Sequence, residues 1–254
     1  MPVDFHDPVN AESYAGREVD TSWDEAVLGL LDPRGLAVVD VGCGGGIYSR
    51  GWLRLGAREV TGVDSSAPIL AVAGTGAPPG LRLHLGDAAG TGLRPDSADV
   101  VFARALVHHV PDLTAVAAEA HRVLRPGGWY LVQDRTMDDV DQPGTAEHPR
   151  GWLFDVFPRL RDVEAARRPN DEALRAALVA AGFGVPRVST VWEARRRYDD
   201  RDAYLAEIAA RTGRSILHEL DDDELRYLVA ELRRRLPHGP VLERDRWTLW
   251  CGQY

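Results

Sequence analysis

The residues Val38-Val39-Asp40-Val41-Gly42-Cys43-Gly44-Gly45-Gly46-Ile47 carry an apolar run into a glycine turn and then into a helical pattern. Glycine lets a ligand approach the backbone where a β-carbon would collide, and a helix start offers unpaired N–H groups. A purely structural turn is the simpler reading; the order strand, turn, helix favours a bound ligand. Further on, Asp64 ends the run Val60-Thr61-Gly62-Val63. A carboxylate there can accept hydrogen bonds from both hydroxyls of a ribose, although Asp64, Ser65 or Ser66 could equally cap the next helix. His108 and His109 lie in Leu106-Val107-His108-His109-Val110-Pro111-Asp112. Imidazole exchanges protons near neutral pH, so His109 is the first candidate for a general base and His108 the second, with Asp134 a further polar candidate.

The elements that must position these residues alternate. Thr21 or Ser22 caps a helix through about Leu31, residues 36–41 read as a buried strand, 47–55 as a helix and 59–63 as a strand, and Pro68 lies near the start of another helix. Strands near 81–85 and 99–103, a helix over 113–124 and a strand over 129–134 continue the pattern, with Arg125-Pro126-Gly127-Gly128 as a turn before the last. Such alternation predicts a mostly parallel sheet covered on both faces, which puts the glycine turn, Asp64 and the histidines at the sheet's C-terminal edge, where open α/β sheets bind ligands.

Beyond Met137 the periodicity lapses, and 137–170 reads as an insertion holding the apolar cluster Trp152, Phe154, Phe157 and Leu160. A helix over 171–181, a strand over 185–192, a helical insertion within 198–240 and a final strand over 246–254 complete the expected order. The two insertions are expected to meet the substrate, with Trp152, Phe154, Phe157 and Trp192 either walling a pocket or forming core. Arg195-Arg196-Arg197 and Arg233-Arg234-Arg235 have acids close by and read as solvated, salt-bridged faces.

Five segments in order resemble the motifs of class I S-adenosylmethionine-dependent methyltransferases of the small-molecule type: DVGCGGG, GVDSS, LGDAAG, ADVVFARALVHHVPD and LRPGGWYLVQD, within roughly residues 14–135. The resemblance implies one α/β domain with a Rossmann-like, mostly parallel seven-stranded sheet, helices on both faces, an antiparallel last strand and an inserted helical cap. It also implies that S-adenosylmethionine is the cofactor and S-adenosylhomocysteine the product. Gly42, Gly44 and Gly46 would line the methionine and ribose portions, Asp40 would support the loop or reach the amino group through water, and Asp64 with Ser65 would hold the ribose. Asp87 and the Ala88 amide would face the adenine, and Arg104 would touch the cofactor mainly through its backbone. Residues 1–20 would form an N-terminal cap, in which Tyr14 could reach substrate or cofactor and work with His109, and Arg17 could pair with the cofactor's carboxylate.

Composition narrows the alternatives. The formal charge of −9 works against nucleic acid and anionic membranes as partners. All basic residues are arginine, so the tyrosine and lysine pair of a nicotinamide-dependent oxidoreductase has no lysine, and Asp40 would sit awkwardly beside a pyrophosphate. The two cysteines form no disulfide framework, no apolar run matches a membrane helix, and the start of the chain lacks a signal-like segment, so a cytoplasmic protein is expected. The eight histidines are scattered and no metal site is expected. The expected partner is a small-molecule methyl acceptor, with oxygen, nitrogen or carbon as the nucleophile. A homodimer is left open, as is a protein that binds the cofactor without transferring its methyl group.

Overall fold

In the computed structural model, which describes residues 19–254, the described chain divides into two compact units, one of residues 19–134, 169–191 and 248–254 and the other of 135–168 and 192–247. The first unit opens with α1 (Thr21–Leu28), where Asp20 accepts the Ser22 N–H. The cap is thus one residue ahead of Thr21, because a side-chain oxygen must precede the N–H it accepts by two or three positions. There follow β1 (Ala37–Val41), α2 (Ile47–Arg54), β2 (Glu59–Asp64), α3 (Ala67–Gly74), β3 (Leu81–Leu85), β4 (Ala98–Arg104), α4 (Leu113–Val123) and β5 (Leu124–Asp134). Short helices α5 (Met137–Val140), α6 (Gly151–Val156) and α7 (Leu160–Ala165) belong to the second unit, and α8 (Asp171–Ala180) to the first. Strand β6 (Arg187–Tyr198) begins in the first unit and ends in the second, which also holds α9 (Arg201–Ala209) and α10 (Asp222–Arg235). The last strand, β7 (Val241–Gln253), starts in the second unit and finishes in the first.

The seven strands lie in the order β3-β2-β1-β4-β5-β7-β6. The first five run parallel, and β7 pairs antiparallel with β5, Leu131 opposite Cys251. The Rossmann-like sheet expected from the alternation is therefore present. Successive strand residues face opposite sides. Val39, Val41, Val101, Ala103, Tyr130 and Val132 pack with residues of α4 and α8. The intervening Val38, Val100, Phe102 and Leu131 pack with Trp23 of α1 and Trp52 of α2. All five residues of β1 are buried, as a strand covered on both faces requires.

The second unit has its own core, which includes Phe154, Leu160, Tyr204, Ile216 and Leu228. Segment 137–170, aperiodic in sequence, folds into three helices too short to show a period. Phe154 is core of this unit, and Trp152 and Phe157 pack against it, while Trp192 meets His148 edge-on. Three arginines match the solvated reading: Arg196 pairs with Glu207, Arg233 with Asp202, and Arg234 with Glu231. Arg195 does not, being half-buried against Glu207 at 3.0 Å and Glu243 at 2.9 Å. Among the described residues no helix is long and apolar enough to cross a membrane.

Candidate functional site

Strand β1 lies between β2 and β4, so the chain leaves it toward one edge of the sheet and later returns to its other side at β4. The turns after β1 and β4 therefore diverge, opening the crevice in which such sheets bind ligands. The glycine turn is fastened to β2: the N–H groups of Gly42 and Cys43 both donate to the Val63 carbonyl, at 2.8 and 3.0 Å. Gly42, Gly44 and Gly46 all have positive φ, at 71°, 52° and 75°. Their surroundings differ. A Cβ on Gly42 would lie 2.9 Å from Leu106, and one on Gly46 would lie 2.8 Å from the Arg50 guanidinium. A Cβ on Gly44 would meet nothing within 4 Å among the described residues, so this side of the turn is open with respect to them.

Asp64 stands beside that opening. Its Oδ2 accepts the Gly44 N–H and its Oδ1 accepts the Ser66 N–H, each at 2.9 Å. The capping geometry and the binding geometry coexist, because each carboxylate oxygen has a second lone pair for a ribose hydroxyl. The cap of α3 is Ser66, whose side chain accepts the Ile69 N–H, whereas Ser65 is exposed. Asp87 is exposed and Ala88 half-buried, on a loop fixed at its start by a bond from the Gly86 N–H to the Asp64 carbonyl. Downstream, Glu119 accepts both the N–H and the hydroxyl of Thr91, at 2.8 and 2.5 Å, and is itself held by Arg122.

Asp40 is buried, and Ser49 Oγ donates to its Oδ2 at 2.5 Å. Burial pushes its carboxyl up to about 7, opposed by the Ser49 bond and reinforced by the negative charge of Asp64. The folded chain thus keeps a proton that the unfolded chain releases near pH 4, so stability should fall as pH rises from about 4 to about 7 and level off above that. Denaturant unfolding at pH 5 and pH 8 should show this loss in the parent protein and a smaller one in Asp40→Asn; equal losses would assign the proton to another group.

Arg104 ends β4 with its guanidinium carbon 4.2 Å from the centre of the Tyr48 ring, so its side chain reaches the start of α2. Ala105 follows at φ 51°, a left-handed conformation unfavourable for a residue with a β-carbon. The next turn, Val107–His109, separates the two histidines. His108 Nδ1 lies 2.9 and 2.8 Å from the two carboxylate oxygens of Asp134, a fully buried side chain at the end of β5. His109 is exposed, its ring 3.9 Å from that of His108. The first-ranked base of the sequence reading is therefore the outer imidazole, and the carboxylate-oriented one is His108. Tyr14 and Arg17 lie outside the described residues.

The geometry ties Gly44 directly to Asp64, fastens Gly42 to Val63 one residue before that acid, and anchors Asp40 to Ser49 of the helix that follows the turn, while Leu106 packs the histidine segment against Gly42. Ser49, Arg50, Tyr48 and Leu106 were not singled out from the sequence. The signal for Ser49 and Arg50 was available: side chains in a first helical turn lean toward the helix N-terminus, here back onto the glycine turn. Among the described residues no group of three or more His, Cys, Asp or Glu could hold a metal ion.

Residues 39–132 match the family model described as a methyltransferase domain. A ubiquinone biosynthesis O-methyltransferase of Leptothrix cholodnii is 37% identical over 116 residues, covering 44% of this chain and 48% of that protein. In the first such matches the chain thus spans about half the length of the curated relatives. The protein of the same description from Paramagnetospirillum magneticum is 38% identical over 181 residues, 64% of this chain and 69% of that one. The fold also matches the solved S-adenosylmethionine-dependent methyltransferase of Mesorhizobium loti, with a TM-score of 0.54 and 22% identity over 92% of this chain and 98% of the other. Motif order, sheet topology and the extended match to the Paramagnetospirillum protein agree: the chain belongs to the class I S-adenosylmethionine-dependent methyltransferases.

Proposed function

We propose that the protein binds S-adenosylmethionine in the glycine turn and transfers its methyl group to a small-molecule acceptor, releasing S-adenosylhomocysteine. The observation that carries this reading is the open side of Gly44 next to an Asp64 carboxylate already oriented by two backbone N–H groups. The residues fit the cofactor's chemistry: it has no phosphate to be repelled by Asp64 or by an ionised Asp40, and its positive charge favours the ionised form of the buried acid behind the turn. When bound, the cofactor supplies an electrophilic methyl group and its own leaving group.

The chain's task is then to hold, align and deprotonate. Gly42, Gly44 and Gly46 line the methionine and ribose portions, Asp64 with Ser65 holds the ribose, Asp87 and Ala88 face the adenine, and Arg104 contacts the cofactor mainly through its backbone. Tyr14 reaches the substrate or the cofactor's amino-acid end, and Arg17 pairs with the cofactor's carboxylate. His108 donates its Nδ1–H to Asp134, which makes Nε2 the basic nitrogen and suits it to take a proton from the acceptor. Such an acceptor carries a removable proton, and the O-methyltransferase names of the relatives make hydroxyl compounds the first to screen. The net charge of −9 favours small molecules over nucleic acid as acceptors.

Asp64→Ala should weaken binding of S-adenosylhomocysteine in calorimetric titration by about 1.5–3 kcal/mol, the range for hydrogen bonds to a charged group. Unchanged affinity would remove Asp64 from the site. Conversion of S-adenosylmethionine in the presence of phenolic and other hydroxyl acceptors tests transfer itself. Tight binding without conversion of any acceptor would favour a binding protein instead.

A further inference from the structure

Arg50 reaches back from α2 over the glycine turn. Its Nη1 donates to the carbonyl oxygens of Gly45 and Gly46, at 3.1 and 3.3 Å. Its Nη2 donates to those of Ala73 and Thr75, at 2.7 and 3.0 Å. Ala73 and Thr75 lie at the C-terminal end of α3, where helix carbonyls lack intrahelical partners and a cation is favoured. One planar guanidinium thus spans two segments that serve one ligand: the turn containing Gly44, and the helix that follows Asp64.

Gly46 itself turns at φ 75°, a conformation that favours glycine, and a Cβ there would stand 2.8 Å from Nη1, the movable end of the Arg50 side chain. Lysine could not reproduce the arrangement, because an ammonium is a point donor and lacks the fork that serves two acceptors on each side.

We propose that Arg50 is a positioning residue for the cofactor: by clamping the Gly45 and Gly46 carbonyls to the end of α3, it fixes the turn on which Gly44 and Asp64 meet. The assignment rests on the cofactor reading above. Its counterpart is an arginine that only ties two surface segments together and adds stability. Calorimetric titration of the parent protein, Arg50→Met and Arg50→Lys with S-adenosylhomocysteine separates the two, alongside hydrogen exchange at the amides of residues 43–47 and steady-state kinetics. Arg50→Met is expected to raise Kd by about tenfold or more, to speed exchange in the turn, and to raise the cofactor KM by a larger factor than it lowers kcat. Arg50→Lys should recover part of the affinity. A Kd within about twofold of the parent value for both variants, whatever their melting temperatures, overturns the clamp. If Arg50→Met does not fold, Arg50→Lys decides alone, and an unchanged Kd with unchanged exchange in that variant overturns it equally. A parent protein that binds neither cofactor form rejects the cofactor reading itself.

Discussion

Replacing His108 with alanine is expected to lower kcat by about 10²–10⁴-fold, the usual contribution of a positioned general base. Cofactor affinity should change little, because the contacts argued to hold the cofactor come from the glycine turn, Asp64 and the Asp87 loop. Asp134→Asn should move kcat the same way. A carboxamide can offer its NH₂ group to Nδ1, and that would place the imidazole proton on Nε2, where it cannot accept another. His109→Ala removes an exposed ring packed against that of His108, and a smaller effect is expected. Steady-state kinetics across pH on the three variants decides the matter. Full turnover in His108→Ala would take it out of the proton transfer, and a larger loss in His109→Ala would restore the order read from sequence.

The second large effect concerns stability. Glu243→Ala should destabilise the protein by about 3–5 kcal/mol, the cost of breaking a buried ion pair from one side. Glu243 is fully buried, with Arg214 Nη2 at 2.5 Å, Arg195 Nη1 at 2.9 Å and the Tyr198 hydroxyl at 3.2 Å. Burial raises its carboxyl, but the two arginines outweigh burial and hold it down at about 2. That part of the stability is therefore present above the ordinary carboxylate range and is lost as pH falls toward about 2. Without Glu243, Arg214 keeps a buried charge with Glu207, at 2.9 Å, as its remaining carboxylate partner among the described residues. Urea unfolding followed by hydrogen exchange within residues 198–243 measures the loss. A cost under about 1 kcal/mol would mean that both guanidinium groups find water once the carboxylate is gone.

The alternating core was legible because its strands are short apolar runs and its helices carry a clear period: β1, α2, β2, β4 and α4 all lie close to where the pattern puts them, while β5 begins at Leu124 and takes in 125–128, the run expected as a turn. The glycine turn and Asp64 were legible for a related reason, since backbone conformations that need glycine, and an acid at a strand end, leave marks in one dimension. Which of two adjacent histidines is oriented leaves no such mark. It depends on the turn Val107–His109 and on a carboxylate that comes from the end of another strand. Arg50 was overlooked because an arginine on an amphipathic helix reads as solvent-facing; its first-turn position aims it at the glycine turn, but the Ala73 and Thr75 carbonyls it also reaches are distant in sequence. Strands β6 and β7 extend beyond their expected limits for a like reason. Arg195 and Tyr198 both reach Glu243, and that tertiary pairing keeps an arginine-rich run extended where no apolar alternation predicts it.

The bond from the Gly44 amide to Asp64 has a further consequence. Since it forms between protein groups, the mould exists before any nucleoside arrives, and little chain entropy remains to be lost on docking. Association should accordingly resemble a key entering a finished lock, its rate limited by encounter and orientation rather than by loop folding, with affinity differences among analogues expressed in how fast they leave.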